Sequence, residues 1–262
     1  MNRYDFKSPR VYVEERLSAG ATVAPEKKQA HHLRNVLRLK SDDTALLFNG
    51  RDGEWRAGLS VAGKGIKFTV QEQVRSQTAP IDLHYLFAPL KHERLDYMVQ
   101  KAVEMGVSRL QPILTQHTQV SRVNLERMQA NAIEAAEQCG VLTIPEVTAP
   151  LTFARMLAAR KPDRLLVFCD EDAEIANPVT ALTAARVAPN AMLPLTMGID
   201  ANRAEPLAVV VGPEGGFAEG ERAALLKLPN IVRLSLGPRI LRADTAAVAA
   251  LAVVQAVLGD WK

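Results

Sequence analysis

The hydrophobic pattern changes character once along this chain, near residue 80. Before that point, short runs at 11–13, 44–48, 54–61 and 66–71 predict β-strands. The breaks at Asn49-Gly50, Asp52-Gly53 and Gly63-Lys64-Gly65 carry turn chemistry. One helix-like stretch, 25–39, interrupts the strands, and a small barrel with a helical insertion is their natural closure. Gln77-Thr78-Ala79-Pro80 reads as a linker. Beyond it strands and helices alternate. A strand at 81–87 precedes a helix at 91–105, with Leu95, Met98, Val99, Ala102 and Val103 on one side and Gly106 as its C-terminal cap. A strand at 107–114 leads to a helix at 125–139, between Asn124 as N-cap and Gly140. Continuous apolar runs at 165–169, 207–211 and 231–236 predict strands covered on both faces, and helices follow at 218–227 and 245–258. This alternation implies an α/β fold with a parallel sheet. Residues 173–205, rich in Ala, Pro and Asn, read as an insertion carrying a short helix.

Length and composition leave room for a real core in one large or two modest domains: 262 residues, 48% hydrophobic and 23% charged. The net charge is only +3, but residues 1–80 hold 14 Lys/Arg against 9 Asp/Glu, while the remainder holds 18 against 20. A basic front half on a near-neutral body points to a polyanionic partner, with a chance surface fluctuation as the alternative. Cys139 and Cys169 are too few for a disulfide framework and lack metal spacing, which fits a reducing cytosol and no metal. The polar start, residues 1–10, does not read as a signal peptide. The longest charge-free apolar run, 245–258, falls short of the ~20 residues that span a bilayer, so no membrane role is expected. That helix suits a dimer interface or a monomer's core equally.

Two glycine-centred turns carry the candidate chemistry. Val209-Val210-Val211 leads into Gly212-Pro213-Glu214-Gly215-Gly216-Phe217, and 231–236 leads into Gly237-Pro238-Arg239-Ile240-Leu241-Arg242-Ala243-Asp244-Thr245. Glycine turns after buried strands let backbone amides approach a small ligand closely, and two such turns can wall one pocket. The first turn has neither the Walker nor the Rossmann spacing, which disfavours a phosphate cradle. Alone, it could be structural. Arg239 and Arg242 bracket Ile240-Leu241 just before a helix, where cations oppose the helix dipole unless an anion binds or Glu214, Glu219 or Asp244 pairs with them. A second basic stretch holds Lys27, Lys28, His31-His32, Arg34, Arg38 and Lys40, either a phosphate-binding stripe or a solvated face. Lys91, His92, Arg94 and Lys101 read as ordinary surface charge with Glu93 and Glu104 as partners. Ser-His-Asp, Cys-His and HExxH patterns are missing, so hydrolase and metalloenzyme readings have no footing.

Taken together these residues resemble the SPOUT-class 16S ribosomal RNA (uracil-N3)-methyltransferases over nearly the whole chain. The resemblance rests on four segments in order. They are His31 through Arg38, Lys101-Ala102-Val103-Glu104-Met105-Gly106-Val107, Glu137-Gln138-Cys139-Gly140 with Ile144-Pro145-Glu146, and the two glycine turns. Val141 stands where the family often has Arg, Asp244 replaces the more usual Glu, and the 173–205 insertion is longer than the usual connection. The resemblance implies a PUA-like RNA-binding β-barrel over residues 1–78. Over 79–262 it implies a SPOUT domain whose parallel sheet, flanked by helices, carries a C-terminal trefoil knot, a rare exception to unthreaded chains. It further implies a cytoplasmic homodimer that binds S-adenosyl-L-methionine and acts on 16S rRNA or the 30S subunit, at the family's target uridine 1498. By position, Gly212, Gly216, Leu236, Gly237, Ile240 and Leu241 would line the cofactor pocket, with Cys169-Asp170 as its third side. Arg10, His32, Arg34 and Arg38 would contact RNA. Uracil N3 is a poor nucleophile while protonated, so Arg242 or Arg239 would stabilise the developing charge and Glu214 would take the proton. A differently targeted enzyme, or a non-catalytic RNA-binding protein on the same scaffold, is the alternative.

Overall fold

The computed structural model describes residues 5, 7–62, 65–120, 122–173, 177–187 and 206–261. Gly63-Lys64 of one predicted turn, and much of the 173–205 insertion, lie outside the described residues. The chain forms two compact units: Met1–Ala79 with Ile133–Ile144, and Pro80–Ala132 with Pro145–Lys262.

The first unit is built on a five-stranded sheet. Its strands are β1 (Arg10–Tyr12), β2 (Thr22–Val23), β3 (Thr44–Phe48), β4 (Glu54–Ala62) and β5 (Gly65–Arg75), in the order β1-β3-β4-β5-β2. β5 alternates as a half-buried strand must, sending Ile66, Phe68 and Val70 inward to meet Leu47, Ala57 and Leu59. β2, only two residues long, has no period to read. Between β2 and β3 the predicted helix exists in shortened form. A five-residue helix α1 (Lys27–His31) passes into one wider π-turn, His32–Val36, closed by the Leu37 N–H on the His32 carbonyl at 3.0 Å.

The second unit holds a parallel sheet. Its strands are β6 (Leu83–Phe87), β7 (Arg109–Leu114), β8 (Glu146–Val147), β10 (Leu165–Cys169), β11 (Leu207–Val211) and β12 (Ile231–Leu234), ordered β12-β10-β11-β6-β7-β8, with the short β9 (Leu151–Thr152) paired to β7. β11 is buried at every position, as its unbroken apolar run predicts. The helices are α2 (His92–Glu104), α3 (Leu125–Cys139), α4 (Phe153–Ala159), α5 (Pro178–Val187), α6 (Glu219–Leu226) and α7 (Ala243–Val257). Residues of α3 from Ile133 onward belong to the first unit. α5 is the described part of the insertion. α7 packs on α2 and buries Ala247, Ala250, Leu251 and Val254 within its own unit. The order matters for function: β10 lies between β11 and β12, so the turns leaving those two strands flank the end of β10. In open parallel sheets ligands bind outside the carboxyl ends of the strands, where the order reverses.

Candidate functional site

At that sheet edge the two glycine turns and the segment after β10 line one cavity of about 360 Å³, within the ~300–1,000 Å³ of small-molecule sites. Every pocket residue expected from the sequence borders it: Gly212, Glu214 and Gly216 on one wall, Leu236, Gly237, Arg239, Ile240, Leu241 and Arg242 on the other, with Cys169 and Asp170 between. Two glycines of the first turn are required for different reasons. Gly216 has φ +69°, a left-handed conformation that strains any residue with a Cβ, whereas the atom such a Cβ would meet is only the movable end of Glu171. Gly212 has no such φ, but a Cβ would meet the Phe217 ring at 2.7 Å. The turn is also held from outside. His117 Nδ1 lies 3.1 Å from both the Gly215 and Gly216 carbonyls, which it reaches as a donor. Glu221 accepts from the Ala218 amide at 3.1 Å and the Gln116 amide at 2.9 Å.

Three groups of charges are set around the cavity, which Glu171 and Asp172 also border. Asp170, buried at the end of β10, accepts two hydrogen bonds from Arg222 at 3.0 Å and one from Arg233 at 2.8 Å. Burial alone would raise its carboxyl, but these donors outweigh it and hold the group below its ordinary value of 3.8. Arg94 of α2 forms the second group, and sequence reasoning missed it. Its Nη1 donates to Glu214 Oε1 in the first turn, and its Nε donates to Asp244 Oδ2 at the start of α7 at 3.0 Å. These bonds push the Arg94 guanidinium pKa up, and the same Arg94 hydrogen bond is the main reason the Asp244 carboxyl lies low. The third group is Arg239 and Arg242. Both are exposed, and among the described residues neither forms a salt bridge; Glu214 and Asp244, two of the partners the sequence offers them, are held by Arg94 instead. Arg242 is the N-cap residue of α7, so its cation stands at the positive end of that helix. Ile240 between them is 90% exposed at the cavity rim, an apolar ledge open to a guest.

In the first unit, His32, Arg34 and Arg38 are exposed on the α1–π-turn segment. Arg10, expected among the RNA contacts, sits in the interior. Its side chain is 4% exposed, its Nε meets Glu54 at 2.6 Å, and its guanidinium lies 4.3 Å over the Phe48 ring. Its remaining donors go to the carbonyls of Ala136, Glu137 and Val141. Those bonds fill the guanidinium, which therefore anchors the end of α3 rather than meeting a phosphate. Glu54, 1% exposed, also takes Arg75 at 2.7 Å.

Fold and site define an α/β protein with a cofactor-sized pocket at the carboxyl end of its sheet, carried with a small basic β unit. Residues 77–255 match the RNA methyltransferase domain family and residues 25–71 the RNA methyltransferase PUA domain. The chain belongs to this RNA methyltransferase family. A ribosomal RNA small subunit methyltransferase E from Rickettsia conorii is 30% identical, over 95% of this chain and 96% of its own length. The crystal structure of the Neisseria gonorrhoeae ribosomal RNA small subunit methyltransferase E, bound to S-adenosyl methionine, superposes with a TM-score of 0.79 at 27% identity, covering 97% of this chain and 100% of that one. A putative methyltransferase from Legionella pneumophila, also in complex with that cofactor, gives 0.78 at 26%, covering 95% and 98%.

Proposed function

We propose that this chain transfers a methyl group from S-adenosyl-L-methionine to N3 of a uridine in 16S ribosomal RNA. The observation that carries the reading is the single cavity made by both glycine turns at the ends of β10, β11 and β12. The residues present fit the cofactor. A nucleoside needs an apolar slot and close backbone approach, which Leu236, Ile240 and Leu241, the open face of Gly237 and the turn backbone at Gly212 and Gly216 supply. When bound, the cofactor supplies a methyl group already activated by a sulfonium. The protein then has to hold the uracil in line, exclude water and favour the deprotonated imide. Arg242, with Arg239, stabilises negative charge developing on the uracil oxygens. Glu214 accepts the N3 proton directly or through water. Arg94 occupies its Oε1, so Oε2 is the oxygen left for that transfer.

On this reading residues 1–78 form the RNA-binding module and 79–262 the catalytic domain. The C-terminal tail is threaded in the trefoil knot of the SPOUT class, a topology with which the strand order β12-β10-β11 is compatible. The protein works as a homodimer in the cytosol on 16S rRNA or the 30S subunit. No helix among the described residues is long and apolar enough to cross a membrane. Ile240 offers an apolar rim for a second copy or a substrate to cover. Titration calorimetry with S-adenosyl-L-methionine, paired with transfer of labelled methyl to 16S rRNA, tests the proposal. Binding and label in the RNA are expected; no binding at millimolar cofactor defeats it.

A further inference from the structure

We infer that Val36 and Leu37 form an apolar wedge that packs against unstacked bases of a single-stranded RNA segment, while neighbouring cations hold its phosphates. This rests on the RNA substrate proposed above and names the surface that grips it. In a regular α-helix the residues three and four after Leu33 would share its inward stripe. Leu33 is 2% exposed and anchors the segment, yet Val36 is 60% and Leu37 44% exposed. The π-turn is the cause. With the Leu37 N–H on the His32 carbonyl and the Leu39 N–H on the Leu33 carbonyl, both at 3.0 Å, the widened backbone takes the pair off the buried face. Arg38 follows with φ +55°, a left-handed conformation that favours glycine. A helix that ends by exposing two apolar side chains and straining an arginine gives up stability that an ordinary turn would keep, and such strain collects at ligand sites.

Charge selects the occupant. From residue 27 to 41 the chain carries Lys27, Lys28, Arg34, Arg38 and Lys40 and no acidic residue. His32, Arg34 and Arg38 are exposed around the apolar pair. Two side chains are too few for a stable protein interface, which takes roughly 20–30 residues a side. They match a base or two. Single-stranded RNA presents splayed bases and phosphates together, and Leu and similar side chains serve as wedges against bases.

The test is fluorescence anisotropy of a labelled single-stranded oligouridylate, titrated with the full chain over a salt series. The double variant V36S/L37S should bind about tenfold more weakly at every salt concentration, with the salt slope unchanged. Arg38→Gln should instead lower the slope by about one. An abasic oligomer of the same length should bind wild type as weakly as the uridylate binds V36S/L37S, and the variant should lose nothing further on it. Val36→Ser alone, at an exposed site, guards against a folding artefact. If wild type binds RNA and V36S/L37S binds it equally well, or if the variant changes only self-association, the wedge is refuted. If wild type binds neither the oligomer nor 16S rRNA at low salt, the RNA substrate itself falls, and the wedge with it.

Discussion

Gly212→Ala separates the pocket from generic turn flexibility. The new Cβ would lie 2.7 Å from Phe217 Cε2 and 2.9 Å from Cδ2. Reaching 3.4 Å needs a relative shift of about 0.7 Å at the closest atom. The ring has little freedom to give. It stands edge-on to Phe168 at 5.4 Å and tilted against Phe153 at 6.1 Å, in a cluster with Val210 and Leu225. Overpacking of this kind costs about 1–3 kcal/mol, divided between a strained core and a displaced turn. The first share appears as a lower urea midpoint. The second appears as weaker cofactor binding, tenfold for each ~1.4 kcal/mol. Gly215→Ala is the internal control, because its Cβ would approach nothing closer than 3.4 Å, at His117 Cβ. Shortening the ring in the same background, Phe217→Leu, should recover part of the affinity lost in Gly212→Ala, since contacting residues couple. Gly212→Ala with wild-type midpoint and wild-type calorimetric affinity, or with losses no larger than those of Gly215→Ala, would refute the reasoning.

Four further outcomes follow from the same geometry. Arg242→Ala should lower methyl-transfer turnover by about a hundredfold or more while calorimetric cofactor affinity stays near wild type; equal losses in both would remove its role in charge stabilisation. Arg94→Ala removes the cation that both carboxylates share, leaving Asp244 the Thr245 amide. The Glu214 contact is largely solvent-screened, so most of an expected loss of about 1–3 kcal/mol belongs to the half-buried Asp244 bond; an unchanged urea midpoint would show that the clamp is idle. Arg10→Ala should destabilise by about 3 kcal/mol, because a buried carboxylate loses one of two partners. It should leave the salt slope of RNA binding intact, and a slope lowered by about one would return Arg10 to the RNA surface. Burial, reinforced by Arg164 and Arg109, pushes His84 down from 6.5 to about 4. Between those values the unfolded chain binds a proton that the folded chain refuses, so stability rises with pH across the window and is lost as pH falls through it. The slope reaches at most about 1.4 kcal/mol per pH unit. His84→Asn should flatten it in urea titrations from pH 4 to 6.5, and an unaltered slope would contradict the assignment.

The sheet of the second unit was legible because its central strands are covered on both faces. 165–169 and 207–211 carry no charged residue, and both are strands at those residues. The glycine turns were legible as turns, and strand order brings them to one cavity. What escaped had a physical reason. β2, β8 and β9 are two-residue bridges, too short to show a period, and α4 spans seven residues. The stretch through Leu33, Val36 and Leu37 has the spacing of an ordinary amphipathic helix, and nothing local announces a π-turn. Arg94 looked like surface charge because its partners lie 120 and 150 residues away. Arg10 looked like a basic surface residue for the same reason, its carboxylate being 44 residues on in β4. Long-range pairing of charges leaves no periodic trace.

The decisive measurement is mass spectrometry of nucleosides from small ribosomal subunits isolated from cells lacking this enzyme, after incubation with the purified chain and S-adenosyl-L-methionine. A pocket built by the two glycine turns, with Arg242 at the acceptor side, should yield 3-methyluridine in 16S rRNA and lose that product in Arg242→Ala. Methyl transfer to another base or to ribose, or no transfer from a chain that binds the cofactor, would contradict it.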